Sequence, residues 1–425
     1  METELPSLSS GTAIDAIEAP SFGLRAVIRR AGRNWFAAAF ALILLIPAAM
    51  ELSGLDPIDP AAENRTLASL PALPRSLHDL VRYPAALNTY LQDWFGLRQQ
   101  MVRTENWLRF TLFHEVTSPE LLIGKHGRIF MSALPGNKPL SLINDVCGAT
   151  MNDGAFLGTA YHITSLIERA SHEFPDFTFV IIPGPSILYS EDLPRWAWSS
   201  CRGLKPSVER TLDDLRSRPD ILSHIVYPID VLQDLKRRYL IVPKRNLHWA
   251  GEGTLRYTEF LSEHRFGLQR TLSVPTKIDD WPSDLNRLNP GLNWVNRIPW
   301  PDPGMAGVFS CFGAECDPKA DPHVIAPLDR FRTPNPNGRR LLLLGDSFAD
   351  NVAGNFTEYF GEVWHIHFNL LAPLTRGELD QLIEMAFKQY RPDQVLYICN
   401  DFAIFYEPLL AQNFFWPDQR VQTPE

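Results

Sequence analysis

The stretch Leu341-Leu342-Leu343-Leu344-Gly345-Asp346-Ser347-Phe348 sets a serine directly after a run of apolar residues. Four leucines without a polar partner predict a fully buried strand, and the glycine that follows permits a tight bend. The next segment, from Ala349 to Phe360, predicts a helix, so the Ser347 hydroxyl is expected near the positive end of the helix dipole. A serine at such a strand-to-helix turn is a candidate nucleophile, although a turn or helix-capping role also fits the motif taken alone.

A candidate base for this serine lies 99 residues upstream, in Asn246-Leu247-His248-Trp249-Ala250-Gly251-Glu252-Gly253. A serine hydroxyl is a weak nucleophile at neutral pH. An imidazole within hydrogen-bonding distance removes its proton and later returns that proton to the leaving group. Ser347 and His248 are therefore predicted to act as a pair.

These two segments, together with several others, resemble the alginate O-acetyltransferases of the AlgJ and AlgX type. Those proteins are SGNH-hydrolase-like and acetylate exopolysaccharides in the bacterial periplasm. In that family an Asp-x-His-Trp segment and a later Gly-Asp-Ser or Gly-Thr-Ser segment supply the catalytic triad, which places Asn246, His248 and Ser347 at the three positions. The acid position is thus occupied by Asn246. The other segments that carry the resemblance are Glu63-Asn64-Arg65-Thr66-Leu67, Asp93-Trp94-Phe95-Gly96-Leu97-Arg98, Gly124-Lys125-His126-Gly127-Arg128-Ile129-Phe130 and the stretch from Val180 to Tyr189.

The resemblance implies an O-acetyltransferase that needs no cofactor and moves an acetyl group through Ser347 onto a hydroxyl of an exopolysaccharide such as alginate. It also implies a membrane-bound O-acyltransferase as the partner that supplies acetyl. Two alternatives use the same chain: an acetyl esterase with water as acceptor, and a polysaccharide-binding or assembly protein whose catalytic site has decayed. Asn246 favours the decayed site, unless Asp401, Asp230 or another carboxylate takes over the missing role. We expect Asn246→Asp to raise turnover at least about tenfold, or roughly 1.4 kcal/mol.

Asn400 is the candidate oxyanion donor. It closes an apolar strand-like run 53 residues beyond Ser347, and SGNH-type hydrolases place an asparagine amide against the tetrahedral intermediate. A strand-end turn, in which Asn400 and Asp401 bond nearby backbone groups, is the alternative.

Composition bounds the class of protein. A net charge of -9 argues against nucleic acid as a partner, whereas neutral or acidic glycans remain possible because a local basic cleft need not appear in the total. The 425 residues are 45% hydrophobic, which is enough to bury one large domain with a smaller appended element.

The N-terminal region predicts a single membrane anchor. The uncharged run Trp35 to Met50 rises about 24 Å as a helix and spans a bilayer once its flanks are added. Arginines that precede it favour a cytoplasmic tail over residues 1–33 and an anchor over 34–53. A juxtamembrane linker with helices is expected over 54–120, and the resemblance implies an SGNH-like acetyltransferase domain over 121–425. The expected location is the bacterial inner membrane, with the catalytic domain in the periplasm.

The pattern from Leu121 onward alternates helices with short apolar strands. This pattern predicts an α/β fold with a mostly parallel sheet and helices on both faces. The resemblance implies that this fold is SGNH-hydrolase-like (flavodoxin-like), in addition to the N-terminal transmembrane helix. Predicted strands include Phe177 to Ile182, Ile221 to Ile229, Tyr239 to Val242, Val363 to Phe368 and Gln394 to Ile398. Ser347 would then lie at a strand's carboxyl end, where open α/β sheets place their sites.

Five cysteines agree with an oxidising compartment. Cys399 lies in an apolar strand-like run and is expected as a buried free thiol, while Cys147, Cys201, Cys311 and Cys316 can pair in three ways that sequence does not decide. No metal site is predicted, because His365 and His367 alternate along a strand without a recognisable third ligand.

Overall fold

The computed structural model describes residues 24–53, 67–334 and 338–415. Short 3-10 and π-helical turns join the longer elements. In chain order the helices and strands are α1 (Leu24–Ser53), α2 (Leu77–Asp93), α3 (Arg98–Phe113), β1 (Leu121–Ile123), β2 (Ile129–Met131), α4 (Ser141–Val146), α5 (Asp153–Glu173), β3 (Thr178–Ile182), α6 (Pro185–Leu188), α7 (Ser207–Asp214), α8 (Pro219–Leu222), β4 (Ile225–Val226), α9 (Ile229–Leu235), α10 (Glu252–Phe260), β5 (Thr276–Pro282), β6 (Val295–Pro301), β7 (Phe309–Phe312), α11 (Pro322–Ile325), β8 (Leu328–Arg332), β9 (Arg340–Gly345), α12 (Ser347–Asp350), β10 (Glu362–His367), α13 (Arg376–Ile383), β11 (Gln394–Asn400) and α14 (Glu407–Phe415).

A central sheet organises the larger part of the chain. Within the described residues its seven strands follow the order β4-β3-β11-β9-β10-β8-β7. Strands from β4 to β10 in that order run parallel, and β8 and β7 extend the sheet through antiparallel pairings. The predicted mostly parallel sheet is therefore confirmed. Because parallel strands end at the same edge, the residues after β9, β10 and β11 lie near one another.

The four leucines of β9 explain why this strand lies in the middle of the sheet. Leu341 and Leu343 pack in one apolar cluster with residues of α10, whereas Leu342 and Leu344 pack in a second cluster with residues of α5 and α13. Successive strand residues point to opposite faces, so a run of leucines needs an apolar cover on both. The predicted helices on both faces are confirmed.

Three predicted elements take another form. Of the strand predicted from Ile221 to Ile229 only Ile225–Val226 is observed, because the helix α8 covers its beginning and α9 begins at its end. The segment from Tyr239 to Val242 is not a strand, because loop contacts use its backbone: Val242 N–H donates to the Tyr189 hydroxyl at 3.4 Å, and Ile241 O accepts from Ala250 N–H at 2.8 Å. The helix expected after Ser347 is a single turn, α12, followed by a 3-10 helix over Ala353–Glu358.

The chain divides into two compact units between Met101 and Val102. The predicted anchor over residues 34–53 falls in α1, which belongs to the first unit. Across the described stretches of chain, none of the helices has the length and apolar character that crossing a membrane requires. This part of the predicted fold class is not observed.

Two disulfides close loops in the second unit. They join Cys147 to Cys201, 54 residues apart, and Cys311 to Cys316, 5 residues apart, while Cys399 is a buried free thiol. The structure thus selects one of the three pairings that the sequence left open. Restricting the unfolded chain by the longer loop is worth about 4 kcal/mol on the chain-entropy account.

Candidate active site

Ser347 begins the single-turn helix α12, directly after β9. A Cβ atom at Gly345 would collide with the carbonyl oxygen of Ile398, so the close approach of β9 and β11 requires glycine there. The intervening Asp346 caps the helix: its carboxylate accepts from the N–H groups of Phe348 and Asn400, each at 2.8 Å. These contacts fix the turn that presents the Ser347 side chain.

His248 lies within hydrogen-bonding distance of this serine, with its Nε2 2.6 Å from Ser347 Oγ. The next residue, Trp249, is buried and donates its indole N–H to the carbonyl oxygen of Phe348 at 2.7 Å. The imidazole also packs on the Phe348 ring, with centroids 4.9 Å apart. The contacts of His248 and Trp249 with Phe348 therefore hold the predicted Ser347–His248 pair together.

The carboxylate that faces His248 comes from Asp284, a residue that sequence reasoning missed. Asp284 Oδ2 makes a short hydrogen bond with His248 Nδ1. The same carboxylate accepts from Leu247 N–H at 2.9 Å and from His248 N–H at 3.1 Å. Because Asp284 binds both the ring and the backbone beside it, the orientation of the imidazole is fixed. Asp284, His248 and Ser347 form one continuous hydrogen-bonded series.

Asn246, placed by the resemblance at the acid position, does not contact the imidazole. Its side chain is buried and bonds two backbone groups: Oδ1 accepts from Asp284 N–H at 3.1 Å, and Nδ2 donates to His248 O at 3.2 Å. The ring nitrogen that an acid would face is occupied by Asp284. Asn246 instead ties the chain at Asp284 to the chain at His248.

The other candidate carboxylates also lie away from the imidazole. Asp401 is buried and accepts from Gly184 N–H at 2.9 Å, and burial raises its pKa to about 7. Asp230 lies in the first turn of α9. Neither residue lines the cavity that contains Ser347 and His248.

Asn400, the candidate oxyanion donor, ends β11 with its side chain directed to local backbone. Its Nδ2 donates to Ile182 O at 3.3 Å, and its Oδ1 accepts from Phe402 N–H at 3.2 Å. It lines a small enclosed space next to Gly184 and not the cavity around Ser347. The observed contacts match the alternative in which Asn400 satisfies a strand-end turn.

The electrostatic surroundings favour a protonated form of His248 more than water does. Burial alone would lower the pKa of His248, but the hydrogen bond and negative charge of Asp284 outweigh it and raise the pKa above its ordinary value of 6.5. The charges of Asp346 and Asp350 add to this rise. These carboxylates would therefore stabilise the positive charge of a protonated His248.

Asp284, His248 and Ser347 line an open cavity of about 780 Å³. Trp281 and Arg287 contribute an indole and a guanidinium to the same lining. The Trp281 ring stacks on Trp300 with centroids 4.2 Å apart and planes 11° from parallel, which fixes its orientation. The size suits a ligand larger than an acetyl group, and aromatic walls with a few polar groups are typical of such sites.

His365 and His367 lie beside this cavity and not in it. Within the described chain, their ring nitrogens and a carboxylate oxygen of Asp329 come close enough together to hold a metal ion. The third ligand that the sequence pattern lacked thus comes from a neighbouring strand.

Comparison with known proteins gives no match among family models or curated proteins. Several solved structures are similar in fold. The O-acetyltransferase domain of AlgJ from Pseudomonas putida is 13% identical with a TM-score of 0.39, over 67% of this chain and 92% of that one. AlgX from Pseudomonas aeruginosa is 12% identical with a TM-score of 0.37, over 67% of this chain and 65% of its own. PatB1 from Bacillus cereus is 12% identical with a TM-score of 0.38, over 60% and 92% of the two chains.

Proposed function

We propose that this protein is an O-acetyltransferase in which Ser347 takes an acetyl group and passes it to a hydroxyl of a polysaccharide. The observation that carries this proposal is the hydrogen-bonded series from Asp284 through His248 to Ser347 in the lining of one cavity. An acid, an imidazole and a hydroxyl in this order are the parts that acyl transfer through serine requires.

The first half-reaction forms an acetyl-enzyme. Ser347 Oγ attacks the acetyl carbonyl of the donor while His248 Nε2 takes the hydroxyl proton. The backbone N–H of Ser347 is the group that we assign to the oxyanion. When the tetrahedral intermediate collapses, His248 gives its proton to the departing oxygen of the donor, and the acetyl ester of Ser347 remains.

The second half-reaction releases the acetyl group to the acceptor. A polysaccharide hydroxyl attacks the ester carbonyl and loses its proton to His248, which then returns a proton to Ser347 Oγ. Throughout both halves Asp284 holds the Nδ1 proton and stabilises the imidazolium.

The cavity offers contacts for a sugar polymer. The indole of Trp281 presents an apolar face to the C–H groups of a sugar ring, and its stacking on Trp300 restrains it. The guanidinium of Arg287 suits the carboxylate of a uronic acid, which favours an acidic polymer such as alginate.

The two alternatives differ from this proposal in testable ways. An acetyl esterase would use the same residues with water as the acceptor. A decayed, polysaccharide-binding protein was favoured by Asn246, and Asp284 argues against it by supplying a carboxylate to His248.

The cellular setting rests on the disulfides and on the resemblance. Two disulfides are typical of an oxidising compartment, which supports a periplasmic location. The resemblance to the alginate O-acetyltransferases adds a membrane-bound O-acyltransferase as the source of the acetyl group.

The test supplies an activated acetyl ester together with uronic-acid oligosaccharides. We expect mass spectrometry to detect O-acetylated oligosaccharide with the parent protein and none with Ser347→Ala. Free acetate alone, with unmodified oligosaccharide, would favour the esterase. Equal product from the parent and Ser347→Ala would contradict the proposed nucleophile.

A further inference from the structure

A second group of histidine and carboxylate side chains lies beside the candidate active site. His365 and His367 alternate along β10, so their side chains share one face of the sheet. Asp329 of β8 lies directly opposite His365 in the antiparallel pairing. Asp350 ends α12, the single-turn helix that begins at Ser347. Four side chains with ligand atoms thus converge from three neighbouring elements.

Each carboxylate of this group contacts both imidazole rings. Asp329 Oδ2 lies 2.5 Å from His367 Nε2 and 3.2 Å from His365 Nδ1. Asp350 Oδ1 lies 2.8 Å from His367 Nδ1 and 3.4 Å from His365 Nε2. Ligand atoms of Asp329, His365 and His367 all lie within 4.8 Å of one another. One small cation can therefore contact all three after modest side-chain adjustment.

The group contains negative charge that lysine and arginine do not balance. In the described part of the chain, the ion pairs of Asp329 and Asp350 are formed with His365 and His367 alone. Asp329 is largely buried, with a side chain 11% exposed. One imidazolium would offset one of the two carboxylate charges, whereas a divalent cation bound by neutral imidazoles offsets both. Full compensation matters because a buried, uncompensated charge is costly.

Asp350 contacts the other nitrogen of each ring, Nδ1 of His367 at 2.8 Å and Nε2 of His365 at 3.4 Å. A cation held by Asp329, His365 Nδ1 and His367 Nε2 leaves these two nitrogens protonated, so Asp350 is placed to accept from both ligand rings and to orient them, as outer carboxylates do in metal sites. His365 Nε2 lies inside the protein, in a side chain that is 0% exposed. The nitrogen faces Asp350, which is 35% exposed and lines the same cavity as Ser347. The cavity gives an ion a path from solvent.

We propose that Asp329, His365 and His367 bind a divalent transition-metal ion, for which Zn²⁺ is the best match, and that Asp350 orients the two imidazole rings. Two imidazole nitrogens and one carboxylate oxygen form a ligand set that Zn²⁺ accepts with water in the fourth position, whereas Mg²⁺ and Ca²⁺ prefer oxygen alone. This site goes beyond acetyl transfer and does not depend on it. The ligand rings would hold Asp350 and, through it, the short helix that carries Ser347.

The test measures metal binding to the full chain, prepared without a histidine tag and treated with a chelator. We expect calorimetry to detect one tightly bound Zn²⁺, and Co²⁺ in its place to give the visible absorption of a four-coordinate site. His365→Gln should weaken Zn²⁺ binding about 100-fold or more because it removes a ligand, and Asp350→Asn should weaken it about 10- to 100-fold, the range for an outer partner of metal ligands. His323→Gln, which removes an exposed histidine outside the group, is the matched control and should leave binding unchanged.

Two outcomes would overturn this proposal. One is a parent protein that binds neither Zn²⁺ nor Co²⁺, and the other is binding that persists in both His365→Gln and Asp350→Asn. Circular dichroism checks the fold of each variant. Asp350→Asn alters the more exposed side of the group, so it keeps the test decisive if His365→Gln does not fold. Ser347→Ala should retain Zn²⁺ while it loses acetyl transfer, so either proposal can fail without the other.

Discussion

Two histidine centres lie at the same edge of the sheet, and they differ in what faces each ring nitrogen. His248 has Asp284 on Nδ1 and the hydroxyl of Ser347 on Nε2. His367 has a carboxylate on each nitrogen, from Asp329 and Asp350. The first arrangement can move a proton from a hydroxyl, whereas the second offers no hydroxyl to activate and collects negative charge suited to a cation.

The pKa values of these rings follow from the same contacts. Burial would lower the pKa of His248 and of His367, but neighbouring carboxylates outweigh it in both, and they raise that of His367 to about 9. His365 is fully buried, and its pKa is lowered because burial outweighs its contacts with Asp329 and Asp350. A histidine–carboxylate pair therefore takes its chemistry from the group that faces the second ring nitrogen, which is a hydroxyl at His248 and another carboxylate at His367.

The largest expected effect separates the two centres by matched substitutions. Asp284→Asn should lower acetyl-transfer turnover by about 10⁴-fold, the size of the corresponding Asp-to-Asn change in a serine protease, because the imidazole loses its charge partner. Asp329→Asn should change turnover by less than about tenfold, or roughly 1.4 kcal/mol, because Asp329 does not contact His248. The measurement is initial rate with an activated acetyl ester. Equal losses in the two variants would mean that both centres serve the same step.

A smaller effect concerns Asn246, where the structure revises the expectation from sequence. Asn246→Asp would remove the donor to His248 O and add a buried charge near Asp284, so we now expect no gain in turnover and a loss of about 1–3 kcal/mol in the free energy of unfolding. Chemical denaturation measures the free energy of unfolding, and initial rates measure turnover. Asn286→Asp is the matched control for stability, since Asn286 bonds the backbone of Trp294 through both side-chain atoms. A tenfold rise in turnover with Asn246→Asp would mean that position 246, and not Asp284, is the acid position of the site.

The pH dependence tests the charge around His248. As a base it must be neutral, and its raised pKa means that it keeps its proton to higher pH than a free imidazole. Activity should therefore rise with pH to a plateau, with a midpoint above 6.5 and a tenfold loss for each unit well below it. The profile of kcat/KM reports this midpoint. A midpoint below 6.5 would mean that burial outweighs Asp284.

The smallest effect is expected at the acceptor. Trp281→Ala should raise the KM for uronic-acid oligosaccharides about 2- to 13-fold, the range of 0.5–1.5 kcal/mol for an aromatic contact, with little change in hydrolysis of a small acetyl ester. Trp196→Ala, which removes an exposed tryptophan outside the cavity lining, is the control. If Trp281→Ala and Trp196→Ala raise the KM for uronic-acid oligosaccharides equally, Trp281 does not bind the sugar.

Local sequence was enough for the mostly parallel sheet with helices on both faces and for the serine–histidine pair. The leucine run before Ser347 required a strand covered on both faces, and the segment around His248 supplied a base. Contacts set by tertiary structure were not predictable in this way. Asp284 lies 36 residues beyond His248, in a short 3-10 turn, and its position depends on backbone N–H groups of Leu247 and His248. No local spacing signals that contact.

The group around His365 and His367 was not predicted for the same reason, because tertiary contacts complete it. Alternation showed that His365 and His367 share a face, but strand register decides that Asp329 lies opposite His365. Asp350 reaches the group from the first helical turn after Ser347. Strand register and the placement of that turn both depend on packing across the sheet, which one sequence does not reveal.

The most direct test of the catalytic account is intact-mass analysis after exposure of the full chain to an activated acetyl ester. We expect a mass increase of one acetyl group that maps to Ser347 and is absent from Ser347→Ala and His248→Gln. Asp329→Asn should still form it, because that carboxylate belongs to the other centre. An acetyl group on a different residue, or no adduct together with undiminished acetyl transfer, would contradict Ser347 as the nucleophile.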